Sequence, residues 1–308
     1  MKKKIWIDCD PGIDDMLALT YALKSDELDV LGISVVSGNV NKDKGYENVI
    51  RLLEFLDIQD IPVCKGKTSE DYIPAEDTHG ANGIGNYYMP LTKTIKLTPF
   101  STLESTINKN PSEVTLVCLG PLTNLAYILD DTIINNLKEV IIMGGCYKYP
   151  GNCSPVTEYN FWCDPKSAKQ VFEAFQYCNK LKVIGLEITN HFVLTQEYIR
   201  AILSANKTIG EFVSGITRYY MDFHKAQEGL DGCVINDPVI IGYLLNPDTI
   251  KFSNYYVTIC DKVDDLAVRG QMLVDRKKFY KKLPNAKVAE CLLGATTIWE
   301  DFFNTITK

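Results

Sequence analysis

Short apolar runs alternate with helix-like stretches along most of this 308-residue chain, and no other feature restricts its fold as much. Strand-like runs stand at 5–8, 28–36, 114–119, 140–143 and 182–185, with helix-like stretches at about 14–24, 43–56, 122–129 and 166–176. That order predicts βαβ units and a sheet covered on both faces. The expected fold is α/β, a single domain over 1–308 with a mostly parallel Rossmann-like sheet flanked by helices. Additional C-terminal strands (255–259, 272–274) and a last helix (295–306) complete it. No repeat, low-complexity tract or linker divides the chain.

In such sheets ligands bind outside the carboxyl ends of the strands. Here the first strand runs into Asp8-Cys9-Asp10-Pro11-Gly12-Ile13-Asp14-Asp15. Later strands end in Ser37-Gly38-Asn39, in Leu119-Gly120-Pro121-Leu122-Thr123-Asn124 and in Met143-Gly144-Gly145. Period-two alternation puts Asp8 and Asp10 on one face, and Asp14 and Asp15 fall in the first turn of a helix. Helix capping accounts for one or two acids. Four carboxylates so close repel unless a cation or shared protons neutralise them, and a hard divalent cation with oxygen ligands is the simplest resolution.

The remaining candidates have ordinary readings as well. Asp237-Pro238 after Asn236 fits a helix start, and beside the N-terminal acids Asp237 becomes a further metal carboxylate. Two long irregular segments, 65–95 and 145–160, read as functional loops, and 227–232 reads as a second lid after a helix at 209–223. The first holds His79 and the second Asn152, Glu158, Tyr159 and Asn160, residues that alone pass for turn residues. His224 lies near the second lid, and His191 reads as structural. Tyr87, Tyr88, Tyr219 and Tyr220 read first as packing residues.

A formal charge of −7 and a pI near 5.1 argue against a nucleic-acid surface. No apolar window is long enough for a membrane span, and Met1-Lys2-Lys3-Lys4 meets only three apolar residues before Asp8, so no export signal is expected. The ten scattered cysteines read as reduced, and the expected location is cytoplasmic.

The chain resembles the inosine-uridine-preferring nucleoside hydrolase family over essentially its whole length. The resemblance rests on Asp8-x-Asp10-x-Gly12-x-Asp14-Asp15, Gly38-Asn39, His79-Gly80-x-x-Gly83-x-Gly85, Gly120 to Asn124, Met143-Gly144-Gly145, Gly151-Asn152, Glu158-Tyr159-Asn160 and Asp237-Pro238. It implies a hydrolase that cleaves the N-glycosidic bond of ribonucleosides to ribose and free base, in purine and pyrimidine salvage. It implies Ca²⁺ held by Asp10, Asp15, Asp237 and the carbonyl of Leu119, completed by water and the ribose 2′- and 3′-hydroxyls. Asp10 is then also the general base on the water. Asp14, Asn39, Asn152, Glu158 and Asn160 hold the ribose, and His79 sits on the loop that closes over it. The family is dimeric or tetrameric, so the expected partners are a small-molecule ribonucleoside and further copies of the chain.

One departure stands out. Many members carry His before the Asp-Pro as the acid for the leaving base, and here that catalytic position is Asn236, which cannot supply a proton near neutral pH. His224 is the substitute expected. Two other readings compete. A haloacid-dehalogenase-type phosphohydrolase also opens with Asp-x-Asp, with Asp8 as nucleophile, Asp10 as acid/base and Mg²⁺ as the ion, although Gly12 fits that pattern poorly. A non-catalytic ribose- or nucleoside-binding protein on the same fold is the third reading.

Overall fold

The computed structural model describes residues 2–92 and 97–308; the end of the segment expected as a loop at 65–95 lies partly outside them. The central sheet begins with β1 (Lys3–Cys9), β2 (Leu28–Val35), β3 (Val63–Lys65), β4 (Thr115–Cys118), β5 (Glu139–Met143) and β6 (Leu181–Ile184). Strands Ala286–Leu292 and Ile250–Tyr255 extend it, giving the order β3-β2-β1-β4-β5-β6, then Ala286–Leu292, then Ile250–Tyr255. Every pairing is parallel except that of Ile250–Tyr255 with Ala286–Leu292. The expected mostly parallel α/β sheet is therefore the observed one.

Topology fixes the site. From β1 the chain builds outward through β2 and β3, then returns to add β4, β5 and β6 on the other side. The order reverses between β1 and β4, and a crevice opens there at the carboxyl ends of the strands. Helix α1 (Ile13–Lys24) follows β1 with Asp14 and Asp15 in its first turn, where the exposed N–H groups favour negative charge. It is buried from Ile13 to Ala22, as a helix must be when sheet and outer helices cover it on both sides. Helix α2 (Lys42–Phe55) starts at Asn41, whose side chain accepts the N–H groups of Asp43 and Lys44.

Alternation along β1 sends Ile5, Ile7 and Cys9 into one apolar core and Trp6 into the core on the opposite face of the sheet. Among the described residues no helix is long and apolar enough to cross a membrane.

Several local expectations change. The run at 255–259 is two strands: Ile250–Tyr255 joins the main sheet, and Val257–Ile259 pairs antiparallel with Met272–Val274. Strand Ala286–Leu292 was not expected, because its mixed polarity shows no clean alternation, yet it pairs on both sides. The helix expected at 209–223 runs from Lys207 to Glu228 and absorbs the start of the supposed lid; Gly229 ends it in the left-handed region at φ 69°. The segment 145–160 gives way to a short helix, Tyr159–Cys163, because the Glu158 side chain accepts the N–H groups of Asn160 and Phe161 and caps it.

Candidate active site

The pocket at the switch point is lined by residues from eight parts of the chain. The end of β1 gives Asp10, the first turn of α1 gives Asp14, the turn after β2 gives Asn39, the short helix Glu76–His79 gives His79, and the end of β4 gives Leu119. Asn152, Glu158 and Asn160 come from the segment after β5; Tyr220, Phe223, His224 and Glu228 come from helix Lys207–Glu228; Asn236 and Asp237 open helix Asp237–Leu245.

Asp14, Asp15 and Asp237 are all buried, and one carboxylate oxygen of each lies within 4.8 Å of the others; Asp14 and Asp237 line the pocket, and Asp15 does not reach its surface. Asp15 Oδ1 accepts the N–H of Asp10 at 3.2 Å, while Asp15 Oδ2 accepts the N–H of Gly12 at 2.9 Å and the amide of Asn39 at 3.1 Å. Burial, then the charge of Asp14, still pushes its carboxyl up to about 7. Burial pushes Asp237 upward too, reinforced by Asp14 and Asp15.

Asp10 is held from three sides. Its Oδ2 accepts the backbone N–H of Asn39 at 2.8 Å. A Cβ on Gly38 would lie 2.0 Å from that oxygen, and a Cβ on Gly120 would lie 2.5 Å from Oδ1, so only glycine fits on either flank. Burial and Asp15 raise its carboxyl well above the usual range.

Asp8, expected on the same face as Asp10, does not join them. Strand β1 ends at Cys9, and Asp8 is still in register with Ser34 of β2 and Cys118 of β4. Its carboxylate therefore drops into the sheet layer, accepting the Ser34 hydroxyl and, at 2.7 Å, the amide of Asn124. Asp10 lies past the strand, where Pro11 redirects the chain. This placement opposes the phosphohydrolase reading, which needs Asp8 in the pocket.

Glu158 and Asn160 brace the pocket wall. Glu158 accepts N–H groups from Gly145, Asn160 and Phe161, which oppose a burial effect that still carries its carboxyl up to about 7. Asn160 donates to the carbonyls of Leu119 at 2.7 Å and Met143 at 3.1 Å, tying the ends of β4 and β5 together. Asn152 sits on the exposed rim, its Oδ1 accepting the N–H of Tyr159 at 2.9 Å.

The two pocket histidines have defined tautomers. His79 Nδ1 accepts the N–H of Ile13 at 3.1 Å, so the neutral ring carries its proton on Nε2. Burial lowers its pKa to about 4. His224 Nδ1 faces the Tyr220 carbonyl at 3.0 Å; a carbonyl only accepts, so Nδ1 carries the proton and Nε2 is free. Tyr220 lies between them, its ring 5.1 Å from His79 and 4.4 Å from His224. His191 lies exposed beside Tyr149 and is not among the residues that line the pocket.

Tyr220 was expected as packing, and Phe223 and Glu228 were not singled out. The signal was their helical spacing with His224: 220, 224 and 228 recur every four residues and so share one helix face.

Comparison with known proteins agrees with this geometry. Residues 5–298 match the family model described as inosine-uridine preferring nucleoside hydrolase. The pyrimidine-specific ribonucleoside hydrolases RihB of Escherichia coli and Shigella sonnei are 33% identical over 294 residues, covering 93% of this chain and 92% of theirs. Among solved structures, the plant nucleoside hydrolase PpNRh1 superposes with a TM-score of 0.91 at 29% identity, covering 100% of this chain and 99% of that one. The purine-preferring ribonucleoside hydrolase from Gardnerella vaginalis gives 0.89 at 25% identity, covering 99% and 98%. The chain belongs to the inosine-uridine preferring nucleoside hydrolase family, enzymes that cleave the N-glycosidic bond of ribonucleosides.

Proposed function

We propose that this chain hydrolyses ribonucleosides to ribose and free base with Asp10 as general base, in a pocket whose acids hold Ca²⁺. The observation that carries this is the meeting of Asp14 and Asp15 with Asp237, more than two hundred residues later, in one buried cluster. Among the described residues lining the pocket none is Lys or Arg. Oxygen donors without a counter-charge fit a hard divalent cation. Asp10, Asp15, Asp237 and the carbonyl of Leu119 would hold it, and Asp14 would face the ribose. When bound, Ca²⁺ keeps these acids ionised and gives the water and the ribose diol a common anchor.

The chain's own groups supply the rest. Asp10, oriented by the Asn39 N–H and flanked closely by Gly38 and Gly120, would take a proton from the attacking water. Asp14 and Glu158 place negative charge where the ribosyl ring gains oxocarbenium character. Asn39, Asn152 and Asn160 contribute polar contacts to the sugar, and His79, neutral with its proton on Nε2, donates from above. In its cationic form, with Nδ1–H held on the Tyr220 carbonyl, His224 gives the Nε2 proton to the departing base. The ten cysteines, all free of disulfides, support a reducing compartment such as the cytoplasm.

The test is an assay of free base and reducing sugar from inosine, uridine and 2′-deoxyuridine, with a phosphomonoester as control. Base release that fails with a chelator, returns with Ca²⁺ and is lost in Asp10→Asn supports the reading. Phosphate release, or ribose binding without turnover, overturns it.

A further inference from the structure

The hydroxyl of Tyr159 joins three segments of the pocket wall. It donates to the carbonyl of Gly38, on the turn after β2, at 2.7 Å. The carbonyl of Ile73, on the loop that leads to His79, lies at 2.7 Å as well. A phenol has one proton, so the two carbonyls compete for it.

The Gly38 carbonyl is one edge of a peptide unit whose other edge is the N–H of Asn39. A trans peptide holds these two groups on opposite edges of one plane. That N–H donates to Asp10 Oδ2 at 2.8 Å. Hydroxyl, peptide plane and carboxylate therefore form one line of hydrogen bonds, O–H to C=O and then N–H to Oδ2. Such bonds polarise one another, by about 10–30% per bond. Donation into the carbonyl strengthens the N–H as a donor to Asp10 and fixes the tilt of the plane that carries it. Gly38 has no side chain with which to fix that tilt.

Two features send the proton to Gly38 rather than to Ile73. The contact with Gly38 is partly buried and that with Ile73 is exposed, so water replaces the hydroxyl more readily at Ile73. The Ile73–Pro74 peptide also has no N–H, so its carbonyl gains nothing from a bond on its far edge.

We propose that Tyr159 is a positioning residue whose hydroxyl, acting through the Gly38–Asn39 peptide, holds Asp10 in line for the attacking water. This rests on the reading of Asp10 as the general base of a ribonucleoside hydrolase. The relay needs the hydroxyl and not the ring, so Tyr159→Phe removes it and keeps the ring.

The experiment measures kcat and KM for uridine and inosine with Ca²⁺ present, in wild type and Tyr159→Phe. In the variant kcat should fall about three- to tenfold, the weight of one hydrogen bond, with KM within about twofold of wild type. A second readout needs neither turnover nor Ca²⁺. Labelling glycine carbonyls with ¹³C and asparagine amides with ¹⁵N selects three peptides for NMR, Gly38–Asn39, Gly85–Asn86 and Gly151–Asn152. The Asn39 amide proton, bonded to a buried carboxylate, should lie farthest downfield of the three and move upfield in Tyr159→Phe, with Gly85–Asn86 unmoved. A raised KM with unchanged kcat would assign the hydroxyl to the Ile73 loop and overturn the proposal. An Asn39 proton that keeps its shift in the variant overturns it too, as does a Tyr159→Phe chain that does not fold, since the hydroxyl would then serve the fold. Wild-type protein that releases base from neither nucleoside overturns the hydrolase reading and this proposal with it.

Discussion

The backbone N–H of Asn39 donates to Asp10 Oδ2 at 2.8 Å, and the side-chain amide of the same Asn39 donates to Asp15 Oδ2 at 3.1 Å. One residue on the turn after β2 therefore orients two acids that flank the start of α1. The turn can approach so closely because Gly38 has no side chain.

Gly38→Ala should displace Asp10, since the added methyl would lie 2.0 Å from its Oδ2. The chain should still fold, with base release lowered about 10²-fold or more, within the range for a misplaced catalytic group. Near-wild-type turnover with an unchanged far-UV spectrum would show that Asp10 placement is not critical.

Acid–base linkage predicts an inverted pH profile for the metal-free protein. Asp15 and Glu158 are pushed up to about 7 in the folded chain, against about 4 when unfolded. The folded state then binds the extra protons between those values. Its stability from these groups is full below about pH 4 and is lost as pH rises through about 7. His79, lowered to about 4, has the opposite sign and is spent by about pH 6.5. With chelator present, Tm should fall by about 2–4 °C between about pH 6.5 and 8. Ca²⁺ should restore it at the upper end and do little below about pH 5. A chelated protein whose Tm rises across that interval would contradict the assignment.

His224→Ala should lower kcat for purine nucleosides by about 10²-fold or more. The loss for p-nitrophenyl riboside should be much smaller, because that leaving group departs without a proton. Equal losses for both would remove His224 as the acid. Asn236→His, which returns an imidazole to the Asp-Pro position, should raise the inosine rate if protonation limits it.

Asn124 joins Asp8 to the turn after β3, donating to Asp8 Oδ1 at 2.7 Å and accepting the N–H of Lys67 at 2.7 Å. Asn124→Ala strands both partners and should cost about 2–4 kcal/mol in urea unfolding. Asn124→Asp should be worse, since it sets a second carboxylate against one already raised to about 7 by burial. An Asn124→Asp protein as stable as Asn124→Ala would argue that Asp8 is neutral throughout.

Sequence by itself determined the parts set by local periodicity and by strand ends. The apolar alternation was enough for the parallel sheet, because buried strands and covering helices leave different repeats. The rule that ligands sit beyond carboxyl strand ends was enough to group Asp10, Asn39 and Leu119. Tertiary structure alone decided which acids meet. Asp8 and Asp10 look equivalent in the motif, but β1 stops between them, so one is sealed in the sheet and the other opens on the pocket. It also decided that Glu158 caps a helix, that 220, 224 and 228 form a pocket wall, and that Asn236 turns its NH₂ to Asp14 and leaves Oδ1 unpaired. The contact of Asn236 with Asp14 joins positions 222 residues apart, and hydrogen-bond partners at that distance leave no periodic trace in a sequence.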